Sequence, residues 1–214
     1  MPKIGVLALQ GDFAEHIHML RHLGVEAREV RLPAELEGLD GLIIPGGEST
    51  TIGKLAKEYG LIEPLRAFGA DKPIWGTCAG AILLSKDATK AKQDQPLLGL
   101  MDVTIQRNAF GRQVNSFELE MNVPVLAKFG RDNPPFNAIF IRAPLIESIN
   151  ADNVEVIAQL EDGTIVAARQ GKLLITSFHP ELNQDDRFHQ YFLTLIGNNS
   201  GSKPKDSEGK VNWR

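Results

Sequence analysis

The sequence of 214 residues has little cysteine and no long apolar segment. Its single cysteine, Cys78, excludes a disulfide within one chain and a metal site held by two or more cysteines. No apolar run approaches the ~20 residues that a membrane-spanning helix needs, and the first residues lack the apolar stretch of a signal peptide. These absences predict a soluble, cytoplasmic protein with no membrane partner.

The sequence also lacks a large excess of either charge, since 23 Lys and Arg stand against 27 Asp and Glu, for a net charge of −4. A general nucleic-acid binder usually carries a basic excess, so the composition predicts no nucleic-acid partner. A chain of this length buries roughly 70% of its unfolded surface, so it can fold without a disulfide or a structural metal ion.

Strand and helix patterns alternate through the first 85 residues. Apolar runs typical of strands cover 3–9, 26–32, 41–44 and 72–75, and segments with helical spacing lie between and after them. Asp12 is predicted to cap the first helix, over 13–23. This alternation predicts a mostly parallel α/β sheet covered by helices on both faces, a three-layer αβα architecture.

The second half is richer in strands. Six strand-like runs cover 103–106, 117–123, 138–142, 154–160, 165–169 and 173–178, and an Asp-Gly turn joins the fourth and fifth. They predict antiparallel strands, either added to the same sheet or forming a flap beside it. A last amphipathic helix over 185–196 closes one domain, residues 1–197, and the polar residues 198–214 are predicted to be a flexible tail.

Cys78 stands in a turn, Gly76–Gly80, between a predicted strand and a predicted helix. The Gly-x-Cys-x-Gly form suits a nucleophile on a sharp turn, because small neighbours tolerate the strained backbone. The following helix favours the thiolate, and the backbone N–H of Ala79 can stabilise an oxyanion. The alternative, a small buried hydrophobic side chain, is less favoured in this context.

A cysteine nucleophile usually needs a base and a group that orients the base. His179 follows the apolar run 173–178, at the strand end where sites of α/β sheets collect. Glu181, two residues later, can reach back to the imidazole. The order Cys78, His179, Glu181 therefore predicts a catalytic triad.

The other histidines give weaker signals. Glu15 and His16 are predicted to line a polar surface or an interface near Gln10, and His189 is expected to be solvated. His18 and His22 share a helix face at a spacing that suits zinc, but no third ligand is evident, so no metal site is predicted.

A second glycine-rich turn, Pro45–Ser49, follows the third predicted strand. It lacks the ending of a phosphate-binding loop, so nucleotide binding is disfavoured, and the N–H of Gly47 can instead face the same oxyanion as that of Ala79. Arg107 and Arg142 each follow a strand and can bind a carboxylate; a surface salt bridge is the alternative for each.

Together these motifs resemble the class I, triad-type glutamine amidotransferases. The motifs that carry the resemblance are Gly5–Gly11, Glu15–His16, Pro45–Thr51, Gly76–Gly80, Arg107–Gln113, Ser116–Glu118, Phe140–Pro144 and Ser177–Leu182. The runs Gly46–Thr51, Arg107–Gln113 and Phe140–Pro144 resemble one branch of that family, the glutaminase subunits that serve pyridoxal 5′-phosphate (vitamin B6) synthesis.

The resemblance implies a flavodoxin-like fold and hydrolysis of L-glutamine to glutamate and ammonia through a thioester on the cysteine, without a cofactor. It implies an oxyanion hole and a glutamine site, formed by Gly47, Ala79, Glu48, Ser49, Arg107, Ile141 and Arg142. It also implies a (β/α)8-barrel synthase subunit as partner in a large hetero-oligomer, docked on Gln10, Glu15, His16 and His18. The alternatives are a glutaminase serving another synthase and a catalytically silent regulatory subunit.

Overall fold

The computed structural model describes residues 1–90, 95–107, 116–130 and 132–197. The helices are α1 (Phe13–His22), α2 (Ser49–Glu58), α3 (Ile62–Asp71), α4 (Ala79–Leu84) and α5 (Arg187–Gly197). The strands are β1 (Lys3–Leu7), β2 (Glu26–Val30), β3 (Gly41–Ile44), β4 (Ile74–Thr77), β5 (Ser85–Thr89), β6 (Met101–Gln106), β7 (Ser116–Met121), β8 (Phe136–Ile141), β9 (Leu145–Ile149), β10 (Val154–Gln159), β11 (Ile165–Gln170) and β12 (Leu173–Thr176). Short 3-10 helices cover Pro33–Leu36, Pro124–Phe129 and Pro180–Leu182.

The main sheet has a parallel half and a mostly antiparallel half. Its order is β2-β1-β3-β4-β12-β11-β9-β6-β5, and the first five of these strands run parallel. Strands β11, β9 and β6 continue it by antiparallel pairing, β10 pairs with β11, and β5 lies parallel to β6. The structure thus confirms a mostly parallel α/β sheet with added antiparallel strands.

The flap exists as well. Strands β7 and β8 form a separate antiparallel ribbon, in which Phe117 pairs with Phe140. The two alternatives that the sequence left open are therefore both realised, each by different strands. The Asp-Gly turn between β10 and β11 is confirmed: Gly163 has φ +84°, and the N–H of Thr164 donates to the Asp162 carboxylate.

Alternation of side chains divides the core into two layers around the sheet. On β4, Ile74 packs with α2, α3 and α4 on one face, whereas Trp75 packs with α1 and α5 on the other. Both neighbours of Trp75 in the parallel register, Ile43 and Leu174, point to that second face. Because each face buries whole aliphatic and aromatic side chains, each contributing roughly 1.5–3 kcal/mol, the parallel strands are held rigidly.

Some expectations fail or lie outside the described residues. Strands β5 and β9 were not predicted, and Asp12 takes the N-cap position of α1 without a side-chain cap hydrogen bond. The predicted tail, 198–214, and the segment 108–113 of one motif lie outside the described residues. None of the helices described reaches the length and apolarity that crossing a membrane requires.

Candidate active site

The carboxyl ends of the parallel strands meet at one edge of the sheet. Strand β1 leads to Asp12, β3 to Gly47, β4 to Cys78 and β12 to His179. Pairing of β4 with β12 sets Thr77 beside Thr176, so the residues that follow them emerge together. This edge is where open α/β sheets place their ligands.

Cys78 occupies a strained turn between β4 and α4. Its φ of +47° and ψ of −101° lie in a region that non-glycine residues seldom adopt. A Cβ on Gly80 would lie 1.9 Å from the Ile44 carbonyl oxygen, and one on Gly76 would lie 2.5 Å from the Gly80 carbonyl carbon. Backbone therefore packs on backbone on both sides of Cys78, as a nucleophile turn requires.

His179 and Glu181 form a buried pair beside this cysteine. His179 Nδ1 lies 2.8 Å from Glu181 Oε1, and only 4% of His179 and 5% of Glu181 is exposed. The His179 N–H donates to the carbonyl of Ile139 on β8, which fixes the histidine between sheet and ribbon. Burial alone would lower the pKa of His179, but hydrogen bonds with Asp12, Cys78 and Glu181 raise it above its ordinary value.

Asp12, which the sequence pattern predicted to cap α1, is a second carboxylate beside the imidazole of His179. Its Oδ2 lies 3.4 Å from His179 Nδ1, and its N–H donates to the Gly46 carbonyl. The hydrogen bond with His179 lowers the pKa of Asp12 although partial burial opposes it. The Gln-Gly-Asp turn before α1 gave no sign of this contact, which depends on β1 and β12 ending at the same edge.

A cavity of about 440 Å³ opens in front of Cys78. Its walls are Asp12, Gly47, Glu48, Ser49, Cys78, Ala79, Ile82, Arg107, Ile141, Arg142, Pro144, His179 and Leu182. All residues predicted for the oxyanion hole and the glutamine site line it, together with two of the three triad members. Glu181 lies behind His179 instead.

The polar wall of the cavity is anchored on Glu48. Its carboxylate caps α2 by accepting hydrogen bonds from the N–H groups of Thr50 and Thr51. It also accepts a hydrogen bond from Arg107 Nη2 at 3.1 Å. Partial burial opposes ionisation, but these hydrogen bonds from Thr51 and Thr50 lower the pKa of Glu48 to about 2. Arg107 therefore already holds a carboxylate of the protein. The buried hydroxyl of Ser49 has no hydrogen-bond partner in the described part of the chain.

The opposite wall comes from the end of β8. The Cys78 thiol lies 3.9 Å from the Ile141 carbonyl oxygen, and Arg142 has a φ of +44°. Two strained non-glycine residues, Cys78 and Arg142, thus face the same cavity. Within the described ranges, Arg142 forms no salt bridge, so the cavity keeps one cation without a carboxylate partner.

Gly47 and Ala79, the two residues predicted to form an oxyanion hole, both line the cavity. Ala79 is the first residue of α4, so its N–H has no acceptor within the helix. Gly47 lines the same cavity with a φ of +149°, and the adjacent N–H of Glu48 donates to Gln10 Oε1 at 2.7 Å. Gln10 therefore contacts the turn that carries Gly47.

The predicted docking residues on α1 separate into two groups. Glu15 and His18 are exposed, and they line a second cavity that also reaches Glu181. His16, in contrast, is fully buried, which corrects its assignment to a surface or interface. The helix turns this side chain inward, against Trp75 and α5. His189 is also fully buried, so the expectation that it is solvated is wrong.

Asp12, His179 and Glu181 place potential ligand atoms within 4.8 Å of one another, a spacing that a metal ion could use. However, the Nδ1 atom that would bind the metal already bonds to Glu181, and the raised pKa of His179 favours a protonated ring. Proton chemistry therefore fits these three residues better than metal binding.

A strained cysteine turn with a buried histidine–glutamate pair beside it, at the carboxyl edge of a parallel α/β sheet, is typical of enzymes that use a cysteine nucleophile. The model of the SNO glutamine amidotransferase family matches residues 6–197, and the chain belongs to that family. It is therefore a glutamine amidotransferase.

Curated relatives and a solved structure agree. The chain is 57% identical over 194 residues to the pyridoxal 5′-phosphate synthase subunit PdxT of Herpetosiphon aurantiacus, covering 90% of this chain and 99% of that protein. It is 55% identical over 193 residues to that of a Roseiflexus species, with the same two coverages of 90% and 99%. A crystal structure of a glutamine amidotransferase, 50% identical, superposes with a TM-score of 0.83 over 91% of this chain and 98% of the other.

Proposed function

We propose that this chain is the glutaminase component of a two-component pyridoxal 5′-phosphate synthase, which hydrolyses L-glutamine and delivers the ammonia to a synthase subunit. The observation that carries the proposal is Cys78 at a strained turn, with the hydrogen-bonded pair His179 and Glu181 beside it. The names and high coverage of the curated relatives support the vitamin B6 branch over another synthase.

In the first half-reaction, the Cys78 thiolate attacks the side-chain carbonyl carbon of glutamine. The carbonyl oxygen becomes an oxyanion, which the N–H groups of Gly47 and Ala79 stabilise. His179, whose raised pKa keeps the ring protonated, gives its proton to the departing nitrogen as the C–N bond breaks. Ammonia leaves, and a γ-glutamyl thioester remains on Cys78.

In the second half-reaction, the now neutral His179 takes a proton from water. The resulting hydroxide attacks the thioester carbonyl, the C–S bond breaks, and glutamate and the thiolate are released. Glu181 holds the imidazole in position and stabilises its charged form, and Asp12 adds a second negative charge at the same nitrogen. Neither step requires a cofactor.

Substrate binding is assigned by charge. Arg142 is available for the α-carboxylate of glutamine, because Arg107 is already paired with Glu48. The hydroxyl of Ser49, which has no hydrogen-bond partner within the described ranges, and the wall formed by Glu48 and Ile141 complete the site. The volume of about 440 Å³ is within the range of pockets for small ligands.

For the partner, we assign a (β/α)8-barrel synthase subunit in a large hetero-oligomer, docked on α1. The exposure of Glu15 and His18 supports this surface. Gln10 supports it as well, because its side chain contacts the turn that carries Gly47. A reduced catalytic thiol fits the cytoplasm.

The decisive experiment uses Cys78→Ala mixed with the synthase subunit. We expect no glutamate release from glutamine, while pyridoxal phosphate still forms from free ammonia. Glutaminase activity retained by the variant would overturn the proposal. The wild-type chain assayed with and without synthase tests the partner, since mixing should raise glutamate release. Failure of the wild type to hydrolyse glutamine even in the complex would favour a silent regulatory subunit.

A further inference from the structure

The Glu181 carboxylate is buried with only one of its oxygens hydrogen bonded. Oε1 is hydrogen bonded to His179 Nδ1 at 2.8 Å, whereas Oε2 has no hydrogen-bond partner in the described part of the chain. A buried carboxylate with a bare oxygen is costly. The atom that faces Oε2 is Nε2 of His16, 3.4 Å away.

His16 reaches this position from the inner face of α1. Its side chain is fully buried, its ring meets Trp75 edge-on at 5.6 Å, and its Nδ1 lies 3.0 Å from Nε2 of His189. Nε2 also lies 3.3 Å from the hydroxyl of Thr77, the residue before the nucleophile. The ring therefore touches elements that carry both Cys78 and Glu181.

Two neutral tautomers of His16 satisfy its contacts with Thr77 and His189, because the Thr77 hydroxyl can donate or accept, but only one of them gives the Glu181 carboxylate a donor. Burial lowers the pKa of His16 well below its ordinary value and that of His189 to about 3, so each ring is neutral and carries a single proton. If His16 carried its proton on Nδ1, the lone pair of Nε2 would face the Glu181 carboxylate. The tautomer with the proton on Nε2 instead offers a donor to that carboxylate, while His189 donates from its own Nε2 to His16 Nδ1.

We propose that His16 is a positioning residue for the triad: its Nε2–H holds Glu181 Oε2, and His189 keeps His16 in that tautomer. This inference rests on the proposed glutaminase function, since Glu181 acts there by orienting His179. The separation of 3.4 Å is long for a hydrogen bond, and catalytic contacts of this kind tighten when substrate binds.

The first test compares three variants in the complex with the synthase subunit. His16→Leu removes the donor, and we expect kcat for glutamine hydrolysis to fall about tenfold with KM changed less than about twofold. His16→Gln supplies an amide N–H and should restore most of the loss. Leu20→Ala, a buried change on the same helix away from the triad, is the matched control for loosened packing.

The results separate a positioning role from a structural one. If Leu20→Ala, at equal or lower thermal stability, loses kcat as much as His16→Leu does, loosened packing explains the effect and the inference fails. Wild-type kcat in His16→Leu would overturn it as well. Cys78→Ala is measured in parallel: if it retains activity, the proposed function fails, whereas an inactive Cys78→Ala with a fully active His16→Leu refutes the positioning role alone.

The second test needs no active variant. In wild-type protein with ¹⁵N-labelled histidine, ring nitrogen shifts distinguish the two neutral tautomers and the imidazolium, and the His16→Gln spectrum assigns the His16 signals. We expect His16 and His189 to be neutral at pH 7 with protons on Nε2. A proton on Nδ1 of His16, or a charged ring, would contradict the proposed hydrogen bond.

Discussion

The two glycine-rich turns at the sheet edge, Gly76–Gly80 after β4 and Pro45–Ser49 after β3, follow neighbouring parallel strands yet are held differently. In the first, backbone lies against backbone: a Cβ on Gly80 would meet the Ile44 carbonyl oxygen at 1.9 Å. In the second, the Asp12 N–H holds the Gly46 carbonyl, but side chains hold the part of the turn that follows: Gln10 accepts the Glu48 N–H, and the Glu48 carboxylate caps α2.

This difference separates two requirements of the chemistry. A nucleophile must stay in one strained conformation, so a turn locked by backbone contacts suits Cys78. A segment held through the ends of side chains can rearrange at lower cost, so Gly47–Ser49, after the backbone-held Gly46, is the part of the site that a docked partner could adjust. Four variants, ordered by expected effect, test this comparison.

Gly80→Ala should have the largest effect. The added methyl group meets backbone that cannot yield without moving β3, so we expect a loss of about 3 kcal/mol or more in the free energy of unfolding and no glutaminase activity. Urea denaturation measures the free energy of unfolding, and glutamate release measures the glutaminase activity. Gly130→Ala, where the nearest atom is 3.6 Å away, should stay near wild type. A stable Gly80→Ala protein would show that the nucleophile turn is not locked.

Gly47→Ala should separate activity from stability. The new Cβ would lie 2.6 Å from Gln10 Oε1, the end of a movable side chain, and 3.1 Å from the Gly11 Cα, and the φ of +149° adds strain of about 1–3 kcal/mol. Because this turn carries a proposed oxyanion donor, kcat should fall about 100-fold. Gly38→Ala, with a φ of +73° and open space around it, controls for strain alone and should keep its kcat. Equal kcat losses in both variants would remove Gly47 from the oxyanion hole.

Gln10→Ala should loosen only the second turn. Losing the acceptor for the Glu48 N–H should cost about 1 kcal/mol and speed hydrogen exchange at that amide. Alkylation of Cys78 by iodoacetamide should keep its wild-type rate in the free chain, since the nucleophile turn does not depend on Gln10. Equally faster exchange at Ala79 would show that the two turns move together.

The sequence predicts well what local chemistry dictates. The glycines around Cys78 are required by close contacts with the first turn of α4 and with the end of β3, and β4 and β12 are recognisable as continuous apolar runs. The triad follows from motifs that each stand directly at a strand end. Strand β5 was missed because Ser85–Thr89 has no apolar alternation and follows α4 without a break.

Long-range packing produced the features that the sequence did not predict. His16 and His189 are separated by 173 positions and become buried only because α1 and α5 cover the same face of the sheet. Asp12 has every local mark of a helix cap, but the convergence of β1 and β12 brings His179 within its reach. For these three residues, whose partners lie on distant elements, the sequence carried no signal of the contact.

Glu48→Gln should have the smallest effect, and its pH dependence identifies the side-chain contacts as the cause. The folded-state pKa of Glu48, about 2, lies below the ordinary value of 4.5. Its stabilising contribution is therefore fully present above about pH 4.5 and is lost as the pH falls toward 2. Because the side chain is half exposed, we expect the substitution to cost only about 1 kcal/mol at pH 7.

Urea denaturation from pH 7 to pH 3 should show the free energies of unfolding of the wild type and the variant converging as the pH falls. Glu58→Gln, at the other end of α2, removes the same charge without the cap and is the matched control. A difference between wild type and Glu48→Gln that stays constant with pH would mean that the charged carboxylate does not hold the second turn, and the contrast between the two turns would lose its physical basis.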